Sequence, residues 1–310
     1  MNVLNQHVTE RCALYHADTV EVARSLPSAS VHFSVFSPPF ESLYTYSASP
    51  RDFGNSTSEQ FWAMYRHLIR ETARVMMPGR LVAIHCMTLP SSKTMHGHVG
   101  LRDFPGDIIR AYQDEGFVYH SDVCIWKDPV QAMQRTKALG LLHKTIRTDS
   151  AMSRQGIPDR LVVMRTPGKN PEAIPHTHDQ FPVEQWQRWA SPVWVTAGAS
   201  DDEGFAVCTE DIDPNDTLQF RSAREDEDER HICPLQLEVI RRAVMLWSNP
   251  GDIVWSPFAG IGSEGWVALK EGRRFVGAEL KASYFQQAAA NMRAAEQTNQ
   301  LDMFAQGVAL

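Results

Sequence analysis

One stretch near the end of the chain narrows the choice of fold more than any other. From Asp252 to Glu279 it reads as a short apolar strand (Asp252 to Trp255), a loop Phe258-Ala259-Gly260-Ile261-Gly262-Ser263-Glu264-Gly265, a helical pattern (Glu264 to Glu271) and a second strand (Arg273 to Glu279) that ends on a carboxylate. Glycines let a backbone approach a ligand closely, a helix N-terminus presents free N–H groups to an anion, and an acid after the second strand can hold ribose hydroxyls. Together these describe a nucleoside-cofactor site at the carboxyl edge of a parallel sheet. Gly260, Gly262 and Gly265 also fit GxGxxG, so spacing alone leaves a nicotinamide or flavin oxidoreductase open.

The rest of the chain fits the same architecture. Short β-rich runs alternate with helical patterns, as in an α/β protein with a mostly parallel sheet. The pattern predicts strand Ala13 to His16, helix Thr19 to Leu26, strand Val31 to Phe36 and helix Glu59 to Met76, stopped by Met77-Pro78-Gly79. Strand Leu81 to Cys86, helix Asp107 to Glu115, strand Phe117 to Trp126 and strand Leu161 to Arg165 follow. From Thr166 to Pro182 the text reads as a connector, and Trp186, Trp189 and Trp194 as a packing cluster. Order returns with helix Leu235 to Trp247 and ends with a helix from Ala282.

A second loop bears on the chemistry. Ser37-Pro38-Pro39-Phe40 follows the strand Val31 to Phe36 directly, and two prolines cannot continue a strand inside a sheet. The chain must leave rigidly at the edge where α/β sheets bind ligands. There the Ser37 hydroxyl and the Pro38 carbonyl can accept hydrogen bonds, and Phe40 offers a face to a flat base.

Charge is segregated. Nine basic residues face three acidic ones between Lys127 and Lys169, and twelve acidic face three basic between Asp201 and Arg230. The overall net charge of −7 therefore excludes only a uniform polyanion-coating chain, not a basic insertion beside an acidic surface. With 43% hydrophobic residues a largely disordered state is excluded. No run approaches the ~18 apolar residues of a membrane span, and the N-terminus lacks the core of a secretion signal, so a cytoplasmic protein is expected. Cys12, Cys86, Cys124, Cys208 and Cys233 form no CxxC pair and read as reduced thiols. His96-Gly97-His98 and His176-Thr177-His178 have no cysteine or carboxylate at ligand spacing, so no metal is expected.

The two loops, in this order, resemble the β-class amino-methyltransferases of DNA, in which a D/N/S-P-P-Y/F/W tetrapeptide precedes an F-x-G-x-G cofactor loop placed late in the chain. Asn249-Pro250-Gly251-Asp252, Gly272-Arg273-Arg274-Phe275 and Gly277-Ala278-Glu279-Leu280 extend the similarity, which covers roughly the first 100 and the last 80 residues. More narrowly, the text is similar to methyltransferases carried by phages and other mobile elements. The resemblance implies a Rossmann-like methyltransferase fold: a mostly parallel seven-stranded sheet with one antiparallel strand, circularly permuted motifs and a target-recognition insertion. It divides the chain into a catalytic half (1–126), a basic insertion (127–159), a last strand with connector and acidic segment (160–230), and a cofactor half (231–310).

It also implies an activity. S-adenosylmethionine would donate a methyl group directly to an exocyclic amine of a flipped base, N4 of cytosine or N6 of adenine, with serine at position 37 leaning toward cytosine. Ser37, Pro38, Pro39 and Phe40 would be catalytic. Asp18, Phe258, Ala259, Gly260, Gly262, Ser263, Glu279 and His231 would hold the cofactor. Tyr44, Tyr46, Lys127, Arg135, Lys137, Lys144, Arg147 and Arg154 would contact DNA. DNA is then the expected partner, a homodimer and a restriction nuclease being further options, and a catalytically inactive DNA-binding relative is the remaining alternative. The sequence departs from the family at Ser256 and His32, where Asp is common, and at Leu235, which replaces a usual lysine.

Overall fold

The computed structural model describes residues 2–40, 53, 57–91, 93–129, 141–196, 210–213, 215–219 and 235–305. Its strands are β1 (Asn5–Val8), β2 (Cys12–His16), β3 (Val31–Phe36), β4 (Met76–Met87), β5 (Leu89–Ser91), β6 (Gly100–Arg102), β7 (Val118–Trp126), β8 (Asp159–Arg165), β9 (Val193–Thr196), β10 (Glu210–Ile212), β11 (Ile253–Ser256) and β12 (Arg274–Glu279). All but β5 and β6, which form a small hairpin, join one sheet in the order β1-β2-β12-β11-β3-β4-β8-β7-β9-β10. Its centre, β2 through β7, is the expected seven-stranded arrangement: β8 runs against both β4 and β7, and the other neighbours are parallel. The sheet grows to ten by adding β1 antiparallel at one end and β9 and β10 parallel at the other. These are three- and four-residue strands, too short to carry a period in the sequence.

Alternate side chains of the central strands enter opposite faces of the sheet. Phe33, Val35 and Val254 pack with Val239, Ile240, Phe275 and Met292 on one side. Phe36, Val82, Ile84 and Trp255 pack with Phe61, Tyr65 and Ile108 on the other. Two helix starts follow sequence signals. Thr57 and Gln60 form a reciprocal capping box at helix Ser58–Val75, and Asp103 caps Phe104–Asp114, with Pro105 in the first turn.

Met77-Pro78-Gly79 stands just past the end of the helix, as expected of a stop signal, but it lies within a strand. The helix stops at Val75, and β4 begins at once; its register with β3 jumps from Val31↔Met76 to Phe33↔Leu81, so the three residues form a bulge. Gly79 makes the bulge possible, with φ of +70° and a position where a Cβ would lie 2.4 Å from the Asn170 amide nitrogen. The tryptophan cluster also divides: Trp189 and Trp194 are buried with the Arg242 guanidinium 5.6 and 5.1 Å from their ring centres, whereas Trp186 is exposed. Cys12, Cys86 and Cys124 are free thiols; Cys208 and Cys233 lie outside the described residues. Among the described residues no helix is long and apolar enough to cross a membrane.

Candidate active site

The glycine loop leaves β11 and enters helix Ser263–Lys270 with Gly260 at φ +54° and Gly262 at φ +88°. Its three glycines do different work. A Cβ on Gly262 would lie 2.8 Å from the Met292 methyl and 3.2 Å from the Ala288 Cβ, and one on Gly265 would lie 2.7 Å from both the Phe275 ring and the Met292 sulfur. Those two let the closing helix Ala282–Ala305 pack against the loop. A Cβ on Gly260 would meet nothing within 4 Å. Gly260→Ala is therefore expected to weaken cofactor binding at a cost in stability of only about 1 kcal/mol from the left-handed backbone. Gly265→Ala is expected to cost about 1–3 kcal/mol by overpacking. Calorimetric titration with the cofactor beside thermal unfolding separates the two effects.

Opposite Gly260 stands Glu279, the last residue of β12. Its Oε2 accepts the Gly260 amide and its Oε1 the Lys281 amide, each at 2.8 Å. Asp18 lies at the adjoining strand end, since β2 pairs with β12 up to His16↔Glu279, but there it caps helix Thr19–Ser25, accepting from the Val20 and Glu21 amides. Ala259 and Ser263 are buried in the loop. Glu264, in the first helical turn, is a buried acid; burial pushes its carboxyl up to about 8, and the nearby Glu279 charge adds to the effect, against a lowering hydrogen bond from the Glu264 backbone. Anchored carboxylate, open glycine and helix start together fit a cofactor bearing a ribose and a carboxylate. His231 lies outside the described residues.

The diproline corner adjoins this loop. Phe36, which ends β3, packs its ring 5.8 Å from that of Phe258, and Phe53 meets Phe258 edge-on at 5.3 Å. Ser37 thus follows directly from a ring that touches the cofactor loop. Pro38 is buried, and Pro39 and Phe40 are half-buried, the Phe40 ring standing edge-on to Phe104 at 6.0 Å.

Two residues not anticipated from the sequence complete the site. The Ser37 hydroxyl lies 2.7 Å from His85 Nδ1, and His85 Nε2 lies 2.8 Å from Asp159 Oδ2. Lys127, expected among the DNA contacts, instead puts its ammonium on the Asp159 carboxylate. His85 and Asp159 are 7% and 2% exposed. Sheet topology explains the convergence. The parallel strands β3 and β4 end where the reversed strand β8 begins, Met87 pairs with Asp159, and β7 ends beside it with Ile125↔Asp159. Burial alone would raise the Asp159 carboxyl, but Lys127 and His85 hold it well below the usual carboxylate range. The available signals were a polar residue inside the apolar run Leu81 to Cys86 and an acid just ahead of Leu161.

The remaining expectations fall in three places. Lys144 and Arg147 are exposed on the short helix His143–Thr148, and Arg154 is half-buried. Tyr44, Tyr46, Arg135 and Lys137 lie outside the described residues. The departures from the family pattern are internal: Leu235 is buried in the core, Ser256 is fully buried, and the His32 Nδ1 accepts the Ile253 amide at 3.1 Å. His32, Glu172 and Asp252 bring their ligand atoms together. Asp252, however, is already bound by Arg80 at 3.1 Å and by the Asn249 amide, and a guanidinium in the cluster opposes a cation.

The DNA methylase model of the N6/N4 methyltransferases matches residues 31–290. The Type II methyltransferase M.BglII of Bacillus subtilis is 23% identical over 281 residues, 90% of this chain and 67% of its own length. Among solved structures, the DNA modification methylase TTHA0409 of Thermus thermophilus, complexed with S-adenosyl-L-methionine, superposes with a TM-score of 0.64 at 22% identity, covering 92% of this chain and 96% of that one. PvuII DNA methyltransferase, cytosine-N4-specific, superposes at 0.62 with 15% identity over 94% and 90%. The family match decides what the GxGxxG spacing left open between hydride transfer and methyl transfer. The chain belongs to the N6/N4 DNA methylase family, and is a DNA amino-methyltransferase.

Proposed function

We propose that the chain methylates N4 of cytosine in DNA, on a base flipped from the helix into the space between the diproline corner and the glycine loop. The observation that supports this reading is the Phe36–Phe258 ring contact, which ties the strand end just before Ser37 to the glycine loop. An exocyclic amine conjugated to its ring is a poor nucleophile; acceptors that bind its hydrogens favour a pyramidal nitrogen. Ser37 Oγ and the Pro38 carbonyl are the acceptors here, and Phe40 is the face on which the flipped ring stacks. When bound, S-adenosylmethionine supplies the methyl group on a sulfonium, so the protein's task is positioning rather than covalent catalysis. Asp18, Phe258, Gly260 and Glu279 are assigned to the cofactor. A neutral hydroxyl at position 37, where the adenine enzymes favour Asp or Asn, is the reason for choosing cytosine.

Incubating the protein with S-adenosylmethionine and mixed-sequence DNA, then hydrolysing to nucleosides for mass spectrometry, is expected to yield N4-methylcytosine. N6-methyladenine alone would overturn the choice of base, and neither product would overturn the reading as a whole.

The basic segment 127–159 is assigned to DNA recognition, with exposed Lys144 and Arg147 on phosphates. Each neutralised phosphate contributes about −0.9 to the slope of log affinity against log salt, so Lys144→Ala with Arg147→Ala is expected to flatten that slope by about 2. An unchanged slope would remove both residues from the interface.

A further inference from the structure

The hydrogen-bonded chain from Ser37 to Lys127 has a direction. With the Lys127 ammonium on it, Asp159 is a carboxylate and can only accept, so His85 Nε2 carries the hydrogen of the 2.8 Å bond. His85 Nδ1 is then a bare lone pair, and the Ser37 hydroxyl must donate to it across 2.7 Å. That commits the hydroxyl hydrogen inward and leaves Ser37 Oγ nothing but lone pairs to show the cleft. Fixing an imidazole tautomer through a buried acid is a general device for placing a proton acceptor.

We propose that His85 accepts the proton released by methyl transfer, working through Ser37, with Asp159 and Lys127 as the positioning residues that fix its tautomer. This rests on the amino-methyltransferase reading. As the amine nitrogen bonds to the methyl carbon, the carbon–sulfur bond breaks and its electron pair stays on sulfur, leaving a neutral thioether. The nitrogen, now carrying one hydrogen too many and a positive charge, gives a proton to Ser37 Oγ while the original Ser37 hydrogen passes to His85 Nδ1. The products are a methylated neutral amine, an intact serine and an imidazolium held against the Asp159 carboxylate, which returns its proton to water after release. Among the described residues, the other titratable or charged groups around the hydrogen-bonded chain are Arg160, the Cys86 and Cys124 thiols, both pushed up by burial, and Asp103 behind Cys86. Arg160 is paired with Asp122, and the thiols stay protonated, so among the described residues His85 is the group placed to take the proton.

The test is single-turnover methylation of DNA with saturating S-adenosylmethionine from about pH 5 to about pH 9, beside cofactor affinity. Wild type is expected to show an acid limb, because a protonated imidazole cannot accept. His85→Gln is expected to lower the rate constant about 100-fold, lose that limb and bind the cofactor within about twofold of wild type. Asp159→Asn, combined with Lys127→Met so that no buried charge is left unpartnered, is expected to move the limb to lower pH, because the imidazolium loses its counter-charge. His85→Gln within about threefold of wild type, or slowed but with the acid limb intact, overturns the proposal. So does a double variant whose limb stays or moves upward. A wild-type protein that methylates no DNA at all overturns the enzyme reading itself, and is recognised before any substitution is made.

Discussion

Ser37→Ala is expected to slow methyl transfer by about 100- to 1,000-fold while leaving affinity for S-adenosylmethionine within about twofold of wild type. In the proposed arrangement the serine faces the substrate nitrogen, and its neighbour Phe36 touches the glycine loop through the Phe258 ring. An alanine leaves that contact and the two prolines in place, so the pocket keeps its shape and loses one acceptor. The loss falls on the chemical step, because the amine needs its hydrogens bound most as nitrogen becomes tetrahedral. A modest fall in stability accompanies it, about 1–3 kcal/mol, since His85 Nδ1 loses its 2.7 Å partner. Rapid-quench measurement with labelled cofactor, beside equilibrium titration, distinguishes these effects. A variant within about fivefold of wild type would remove Ser37 from the reaction.

Glu264→Gln is expected to stabilise the protein, increasingly so toward alkaline pH. Burial pushes this carboxyl up to about 8 in the fold, whereas an unfolded chain titrates near the ordinary glutamate value of about 4.3. Below that value both states hold the proton and Glu264 has no effect. Between the two values the native state keeps a proton that the unfolded state has released, so stability falls as pH rises, and the fall ends above about 8. Its full size is on the order of 5 kcal/mol. Glutamine reproduces the protonated shape and does not titrate. The difference in unfolding free energy between variant and wild type, from urea titrations, is therefore expected to be small near pH 4 and several kcal/mol near pH 8. A difference independent of pH would show that the fold leaves the Glu264 carboxyl at its ordinary value.

Much of the architecture could be read from local signals. Strand Val31–Phe36 and the start of the final helix at Ala282 coincide with their expected bounds, because the signals that set them act over a few residues. The two functional loops were legible because proline pairs and glycine turns impose backbone geometry wherever they stand. The His85–Asp159–Lys127 chain was not. These residues are separated by dozens of positions, and only the reversal of β8 brings them together, a property of strand order rather than of any window of sequence. The short edge strands escaped for the opposite reason, being fixed by pairing, β1 with β2, β9 with β7 and β10 with β9, and not by their own composition. Lys127 counted among basic residues suggests a phosphate contact, but its neighbour in space is a buried acid.

The reversal of β8 has an evolutionary corollary. A segment that departs from the tip of one strand and re-enters at the tip of the next, on the same rim, can be lengthened, shortened or traded without disturbing a single rung of the ladder, and the entropic toll of extra length grows only logarithmically. Here Lys127 and Asp159 clasp each other at the mouth of that segment, so the graft point is also the anchor of the reacting groups. New sequence preferences could be transplanted between the two clasped residues, provided the clasp itself travels unchanged.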